Sequence, residues 1–471
     1  MTIERGGIII YFIFSSFVGF SQLGFSGEAT ARGLVSSEEM LPFWFYSNQR
    51  GRVNNSANVA LWLTARENWL INRDFNIEIG GGVLYQDTAE NQVDLDELYV
   101  QYKNYWLRVI GGIKHYDELY EGLSGTNGNM LWSLNARLMP GFQINTLRPI
   151  YFLFNNRLGF SGTWSEFLIG KERFVKNTRL HKKSLYLNYR SKNGLKIALG
   201  LEHFVQWAGD SPDTIIGRQP GGLKDYLKII TGQGGSENAF EGEQSNALGN
   251  HLGSYELRIT QKFKNAELEF MYSHPFEDGS GMLYYNFEDG RYGLYANLNE
   301  NEEKQPWVDK LLYEFYYTKN QSHNRTPFKH VWDNYFNNGI YRSGWTYENI
   351  IIGLPFFTLN NYGSDYPIIG NNRVIIHHFG ANGFLMNRFN YKLLVSYRNN
   401  NGHARSKGDF DWVKIPEDDP SGKYKLSHEI TSTYLDVNLL NSFLNINLQL
   451  GADLSSEDSN LGVGLKFNKT F

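Results

Sequence analysis

His428-Glu429 opens the HExxH pattern, in which two histidines one helical turn apart hold a zinc ion. Position 432 is Ser, so the second ligand is missing. His377 and His378 are adjacent on an alternating segment and point to opposite faces, one to a lumen and one near a lipid boundary, whereas a metal site needs convergent ligands. GLSG (Gly122 to Gly125) and GFSG (Gly159 to Gly162) lack the GxSxG spacing of a nucleophile elbow. His251 and Ser254 in GNHLGS are close enough in sequence for a hydrolase pair, but no third group stands by to activate them. Glu277-Asp278, Asp409/Asp411 and Asp418-Asp419 are candidate glycosidase carboxylates, although loop acids commonly face solvent or cations. There is no glycine-rich phosphate loop. No catalytic residue, metal site or cofactor is assigned, and the chain reads as a non-enzyme.

Binding chemistry is better represented. WDNYFNNGIYRSGW (Trp332 to Trp345) sets aromatics among Asp, Asn and Arg. Flat rings stack on the C–H faces of sugars, and planar amide, carboxylate and guanidinium groups match paired hydroxyls. The candidate carbohydrate contacts are Trp332, Asp333, Asn334, Tyr335, Arg342 and Trp345, followed by Asp278, Trp207 and Asp225. The same aromatics could instead pack their loop against a barrel mouth or form an interfacial girdle.

The elements that position these loops read as strands. Aromatics make up 15% of the chain, Gly numbers 48, and the mean hydropathy is −0.44. A polar average with many aromatics and glycines suits a β-barrel in which lipid-facing and lumen-facing residues alternate. FNIEIGGGVLYQ (75–86), YELRITQKF (255–263), RFNYKLLVSYR (388–398) and LNINLQLGADL (444–454) each alternate with a period of two. Their lengths, about 9–11 residues, cross a bilayer when tilted. The net charge of −4 does not favour nucleic acid as a partner. The absence of cysteine excludes disulfides and thiolate metal sites. Residues 1–21, with the apolar run Ile8 to Phe20 ahead of small residues, have the anatomy of an export signal peptide.

Connection lengths add direction. Lys103-Asn104, Lys192-Asn193-Gly194, Lys264-Asn265 and Met386-Asn387 are tiny turns. Trp207 to Gly253, Pro275 to Asp289, Gly353 to Asn372 and Asn399 to Lys425 are long, polar and aromatic. Outer-membrane barrels alternate short periplasmic turns with long external loops. Counting back from the final LGVGLKFNKTF, with Phe471 at the periplasm, keeps this alternation if Lys319 to Asn372 is a single external excursion and TYENIIIG does not span. The spanning segments number about seventeen, and an even count is needed, so one more is expected in PFWFYSNQRG or nearby, giving roughly 18. Leu461, Val463 and Leu465 should face lipid, the even positions the lumen, and the last strand should close against the first. Phe471 resembles the terminal aromatic by which barrel-assembly machinery recognises its clients.

LPFWFYSNQRG (41–51), MLWSLNARLMPGFQI (130–144), EGEQSNALGNHLGSYELR (241–258), FEDGSGM (276–282), DNYFNNGIYRSGW (333–345) and NNRVIIHH (371–378) occur in the order expected of one family. On these residues the chain resembles the capsule-assembly Wzi family, especially its Bacteroidetes-type members. The resemblance implies an all-β, up-and-down antiparallel barrel of 18 strands in the Gram-negative outer membrane, its long external loops partly occluding the lumen. It also implies a lectin-like role: attaching or organising capsular or extracellular polysaccharide at the cell surface, with outer-membrane lipid around the wall. The family's best-known members carry a periplasmic helical bundle; here the reading is a signal at 1–21, a short periplasmic segment at 22–41 and a barrel at 42–471. A porin for small solutes, or an outer-membrane hydrolase, would share the barrel but differ in what fills it and what it cuts.

Overall fold

The computed structural model describes residues 24–72, 74–299, 305–322, 333–360, 366–402 and 427–471. The signal segment 1–21, Trp332 and the acids Asp409, Asp411, Asp418 and Asp419 lie outside the described residues.

Period-two alternation gives each strand one face for lipid and one for the interior, and the strands satisfy one another's backbone groups. In chain order they are β1 (Phe25–Ser36), β2 (Val59–Asn72), β3 (Phe75–Gln86), β4 (Val93–Lys103) and β5 (Leu107–Ile113). β6 is interrupted, and its pieces Gly141–Thr146 and Ile150–Leu153 both pair with β7 (Leu158–Leu168). There follow β8 (Arg179–Arg190), β9 (Leu195–Trp207), β10 (Asn250–Lys262), β11 (Glu267–Phe276), β12 (Gly290–Asn297) and β13 (Lys310–Tyr317). The set ends with β14 (Val374–Leu385), β15 (Phe389–Asn401), β16 (Ser427–Asn441), β17 (Asn445–Ser455) and β18 (Ser459–Thr470). Successive strands pair antiparallel, and β18 pairs with β1 from Glu28↔Thr470 to Ser36↔Gly462, so the sheet closes as an 18-stranded barrel.

The expected facing of β18 holds along its outer half. Leu461 and Val463 are 56% and 52% exposed on the outer wall, while Gly462 and Gly464 face inward. A Cβ on Gly462 would lie 2.6 Å from the Phe45 ring, so only glycine lets the lumen contents approach the wall this closely. Lys469, at an outward position, is buried with its Nζ 3.3 Å from the centroid of Phe443. The short turns predicted from sequence all fall at the end of the barrel that holds Phe471. β13 pairs directly with β14 (Tyr317↔Ile375), so 318–373 is one excursion from a single rim, and TYENIIIG forms a small hairpin within it.

Two expectations are corrected. The eighteenth strand is not PFWFYSNQRG: Phe43–Tyr46 forms a short helix, α1, in the 37–58 connection. Phe43, Trp44 and Phe45 are all buried, which a one-sided strand cannot arrange for consecutive residues. The missing strand is β1, which lies inside the segment 22–41 expected to be periplasmic, so the barrel begins at Phe25. Its outward positions include Gly27, Ala29, Ala31 and Gly33, too small to read as a hydrophobic stripe.

Three segments, 37–58, 114–140 and 318–373, fill the lumen with one apolar cluster that includes Trp44, Phe45, Leu131, Trp132, Phe336, Trp345 and Phe356. Phe43 stacks on Phe356 with centroids 5.4 Å apart, and Trp132 stacks on Phe204 of β9 at 5.8 Å. Polar wall residues fasten this plug. Glu314 of β13 accepts from Ser124 Oγ (2.9 Å), from the Gly125 N–H (2.8 Å) and from Arg291 of β12 (3.2 Å). His378 is buried between Ser396 Oγ and Leu123 O in the lumen, while His377 lies outside against the Tyr313 hydroxyl, which separates the two histidines as expected. A second, smaller apolar cluster, Val205, Trp207, Ala208, Ile229, Ala239 and Leu248, belongs to β9 and the 208–249 connection.

Candidate functional site: an asparagine-lined groove at the external mouth

Three long connections meet above the plug: the end of 208–249, the 277–289 turn and the excursion 318–373. Between them lies a cavity of about 440 Å³, lined by Asn246, Asn250, His251, Glu277, Asp278, Asp333, Asn334, Asn337, Asn338 and small residues. Its rim residues Asn246, Asp278, Gly279 and Gly339 are exposed, whereas Asn250, Asp333 and Asn337 are buried in its floor. The groove therefore opens outward and is walled by planar amides and carboxyl groups.

The amides are held in fixed orientations by one another. Asn334 Oδ1 accepts from Asn337 Nδ2 (3.0 Å) and Asn372 Nδ2 (2.6 Å). Asn338 Nδ2 donates to Asn250 Oδ1 (3.1 Å), and Asn250 Nδ2 donates to Gln206 of the wall (2.9 Å). Both lone pairs of the Asn334 oxygen are engaged, and its Nδ2 is buried without a partner among the described residues. The acids form a second group. Asp333 accepts from Ser322 Oγ (2.5 Å) and Ser280 Oγ (3.3 Å), and burial together with the nearby charge of Asp278 pushes its carboxyl up to about 6. Glu277 accepts the Phe336 N–H at 2.7 Å, and burial raises its carboxyl well above the usual carboxylate range. Asp278 accepts the N–H groups of Ser280 and Gly281 and caps a single helical turn. Among the described residues no cluster of three His, Asp or Glu could hold a metal ion.

Of the predicted contacts, Asp333, Asn334 and Asp278 line this groove. Tyr335 is buried beneath it, where its hydroxyl donates to Asp289 (2.7 Å) and accepts from Asn286 (2.6 Å). Trp345 is 0% exposed in the plug, and its Nε1 donates to Leu131 O at 2.7 Å. Arg342 pairs with Asp213 at 2.8 Å and lies over the Phe174 ring, bracing two loops together. Trp207 faces the outside of the wall against Tyr226, and Asp225 caps its own helix by accepting the Gly222 N–H. Those five side chains are taken up by packing and pairing within the protein. Trp332 lies outside the described residues. His251 and Ser254 point to opposite faces: Ser254 Oγ donates to Glu256 inside the lumen, and His251 meets His203 outside.

Sequence reasoning missed Asn246, Asn250, Asn337 and Asn338. The last two stand within the quoted DNYFNNGIYRSGW, and their signal was the run of amides rather than the rings between them. A further external groove of about 550 Å³, with Gln86, Glu90, Asp94, Arg137 and Tyr347 in its walls, was also missed. Arg137 pairs there with Asp94 and, at 3.4 Å, with Glu348.

A closed strand barrel with an apolar outer wall, a lumen packed by its own loops and polar grooves at one mouth defines a plugged outer-membrane protein. A sequence profile described as capsule assembly protein Wzi matches residues 46–358, and the chain belongs to that family. In three dimensions the chain is similar to Wzi of Escherichia coli, described as an outer-membrane protein involved in group 1 capsule assembly and a carbohydrate-binding β-barrel. The TM-score is 0.54 at 13% identity, covering 94% of this chain and 84% of that one. It is also similar to OccK3 (OpdO) of Pseudomonas aeruginosa, with a TM-score of 0.47 at 9% identity and 95% of each chain covered. No curated protein sequence matches the chain.

Proposed function

We propose that the asparagine-lined groove binds a capsular or extracellular polysaccharide and holds it at the cell surface without cutting it. The observation that carries this reading is the set of amides, held in fixed orientations by one another, that lines an outward-opening groove. An amide presents a donor and an acceptor in one plane, which suits neighbouring sugar hydroxyls. Among the described residues no Trp, Tyr or Phe lines the groove, and its amides would hold each sugar by hydrogen bonds. Such contacts are individually modest, and retention of a long polymer comes from many repeats engaging the grooves of many barrels. Membership of a capsule-assembly family supports the same reading.

Two observations weigh against the alternatives. The carboxyls of Asp278 and Asp333 are both engaged as acceptors, by Ser280 and Gly281 and by Ser322, rather than left to act as a glycosidase acid and nucleophile. The lumen is packed with aromatic side chains from three segments, where a porin needs water. Incubating purified barrel with polymer should retain polymer of unchanged length, and cells lacking the protein should shed it. Shortened chains would overturn the reading, as would a large single-channel conductance. Residues 1–21 are proposed as the export signal, removed in the mature barrel. The strand ending in Phe471, whose ring lies over Gly27 and stacks on Phe25 at 5.9 Å, is proposed as the element read by the assembly machinery. A polar tag after Phe471 should lower the yield of inserted barrel.

A further inference from the structure

The outer wall carries a polar patch at a depth where its neighbours are apolar. The plug fixes which residues point inward on β7–β9: Phe167, Lys182 and Phe204 all lie against Trp132 in the lumen. Alternation then places Glu166, His181, Lys183 and His203 on the outside. On the adjoining wall at the same level, Phe142, the partner of Glu166, and Leu168 are apolar and 45% and 56% exposed. One outward position below Lys183, Leu185 is 59% exposed. Bare carboxylate, ammonium and imidazole groups beside this band would face acyl chains at high cost.

The 208–249 connection covers them. Its helix α2 (Leu223–Thr231) descends along β8: Arg179 donates to Gly221 O just ahead of the helix (3.3 Å), and Lys183 Nζ donates to Ile230 O near its end. The Tyr226 hydroxyl donates to Glu166 and accepts from Trp164 Nε1 at 3.2 Å. Tyr226, Ile229 and Ile230 thus face the wall. Leu223 and Leu227, one turn apart on one flank, are 77% and 58% exposed, with Lys224 and Lys228 on the adjacent flank. An amphipathic helix with leucines on one stripe and lysines beside it, set against the upper edge of a lipid-facing band, has the geometry of an interfacial element.

We infer that α2 is seated in the outer leaflet, with Leu223 and Leu227 entering the acyl region and Lys224 and Lys228 meeting the phosphates of an acylated, anionic glycolipid. The occupant is lipid because the leucines continue the apolar band of the wall, and because the charge beside them is cationic where phosphate headgroups stand. The 208–249 connection would then take the place of lipid over a wall patch too polar to be bare. It would also fix the groove-bearing loops to the membrane surface.

The chain has no cysteine, so Leu227→Cys provides a unique label site in the full-length barrel. An environment-sensitive fluorophore is attached there, and the barrel is reconstituted in phosphatidylcholine vesicles containing lipid A. Acyl-chain-brominated lipid should quench the label at 227, while the same label on Glu90→Cys at the external mouth should respond only to aqueous iodide. Exchanging lipid A for its dephosphorylated form should weaken binding to the refolded barrel, and Lys224→Glu with Lys228→Glu should erase that preference, roughly fivefold per lysine. A label at 227 that answers to iodide and not to brominated lipid overturns the inference. So does protection that appears only at high protein-to-lipid ratio with cross-links between barrels, which would make a second copy the occupant.

Discussion

The aromatic and amide side chains of the stretch 333–345 point to opposite sides of the external mouth. Tyr335, Phe336 and Trp345 go down into the plug, and Tyr341 is buried with its hydroxyl donating to Ala208 O of the neighbouring connection. Asp333, Asn334, Asn337 and Asn338 turn toward the groove. Rings alternating with amides suit sugar binding and suit the packing of a polar loop over an apolar plug. What separates the two uses here is desolvation. A buried ring removes a large apolar area from water, whereas an amide at a rim keeps its hydrogen-bonding capacity for whatever arrives. The rings hold the stretch in place, and the amides are the part proposed to meet a ligand.

Trp345→Ala is the severest way to break this comparison. It removes the ring from a fully enclosed site and leaves Leu131 O without its donor, an expected loss of about 3–5 kcal/mol. Urea unfolding of the refolded barrel measures it, and conductance bursts should appear as the plug loosens. Polymer binding by the fraction that remains folded should persist. A variant of unchanged stability that no longer bound polymer would instead return Trp345 to the contact set. Asn246→Ala sharpens the other side. It removes an amide exposed at the rim of the groove, so affinity for polymer should fall roughly tenfold with little change in stability.

Much of the barrel was legible because lipid imposes a strict rule: every spanning segment alternates, and long loops share one side. That rule recovered β18, the facing of His377 and His378, and the non-spanning TYENIIIG. It failed at β1, where Gly27, Ala29, Ala31 and Gly33 face outward without a bulky stripe, and the neighbouring FWF motif drew the assignment instead. The groove was only half legible. Asp333 and Asn334 lie close to Asp278 because two loops separated in sequence converge, and nothing local records that convergence. Trp207 and Asp225 were misplaced for a related reason: their loop folds down the outside of the wall, so residues that look external and free are holding a helix against strands.

The smallest expected effect concerns charge within the groove. Asp333 has an ordinary value of 3.8 and is pushed up to about 6 by burial and by Asp278. The folded protein therefore holds this proton more tightly than the unfolded chain. The stabilisation is full below the ordinary value and is lost as pH rises through about 6, so thermal stability should decline modestly between about pH 4 and about pH 7. Across the same window the groove gains a negative charge beside Asp278. A polymer bearing carboxylate sugars should bind more weakly at the higher pH, while a neutral polymer should change little. Asp333→Asn should flatten both dependences. If the pH profile of binding survives that substitution, the titrating group lies elsewhere among the external loops. Glu243, which burial pushes up to about 7 and whose Oε1 accepts the Gly249 N–H at 2.9 Å, would be the first to substitute. That result would move the charge control from the floor of the groove to the loop that descends the outer wall.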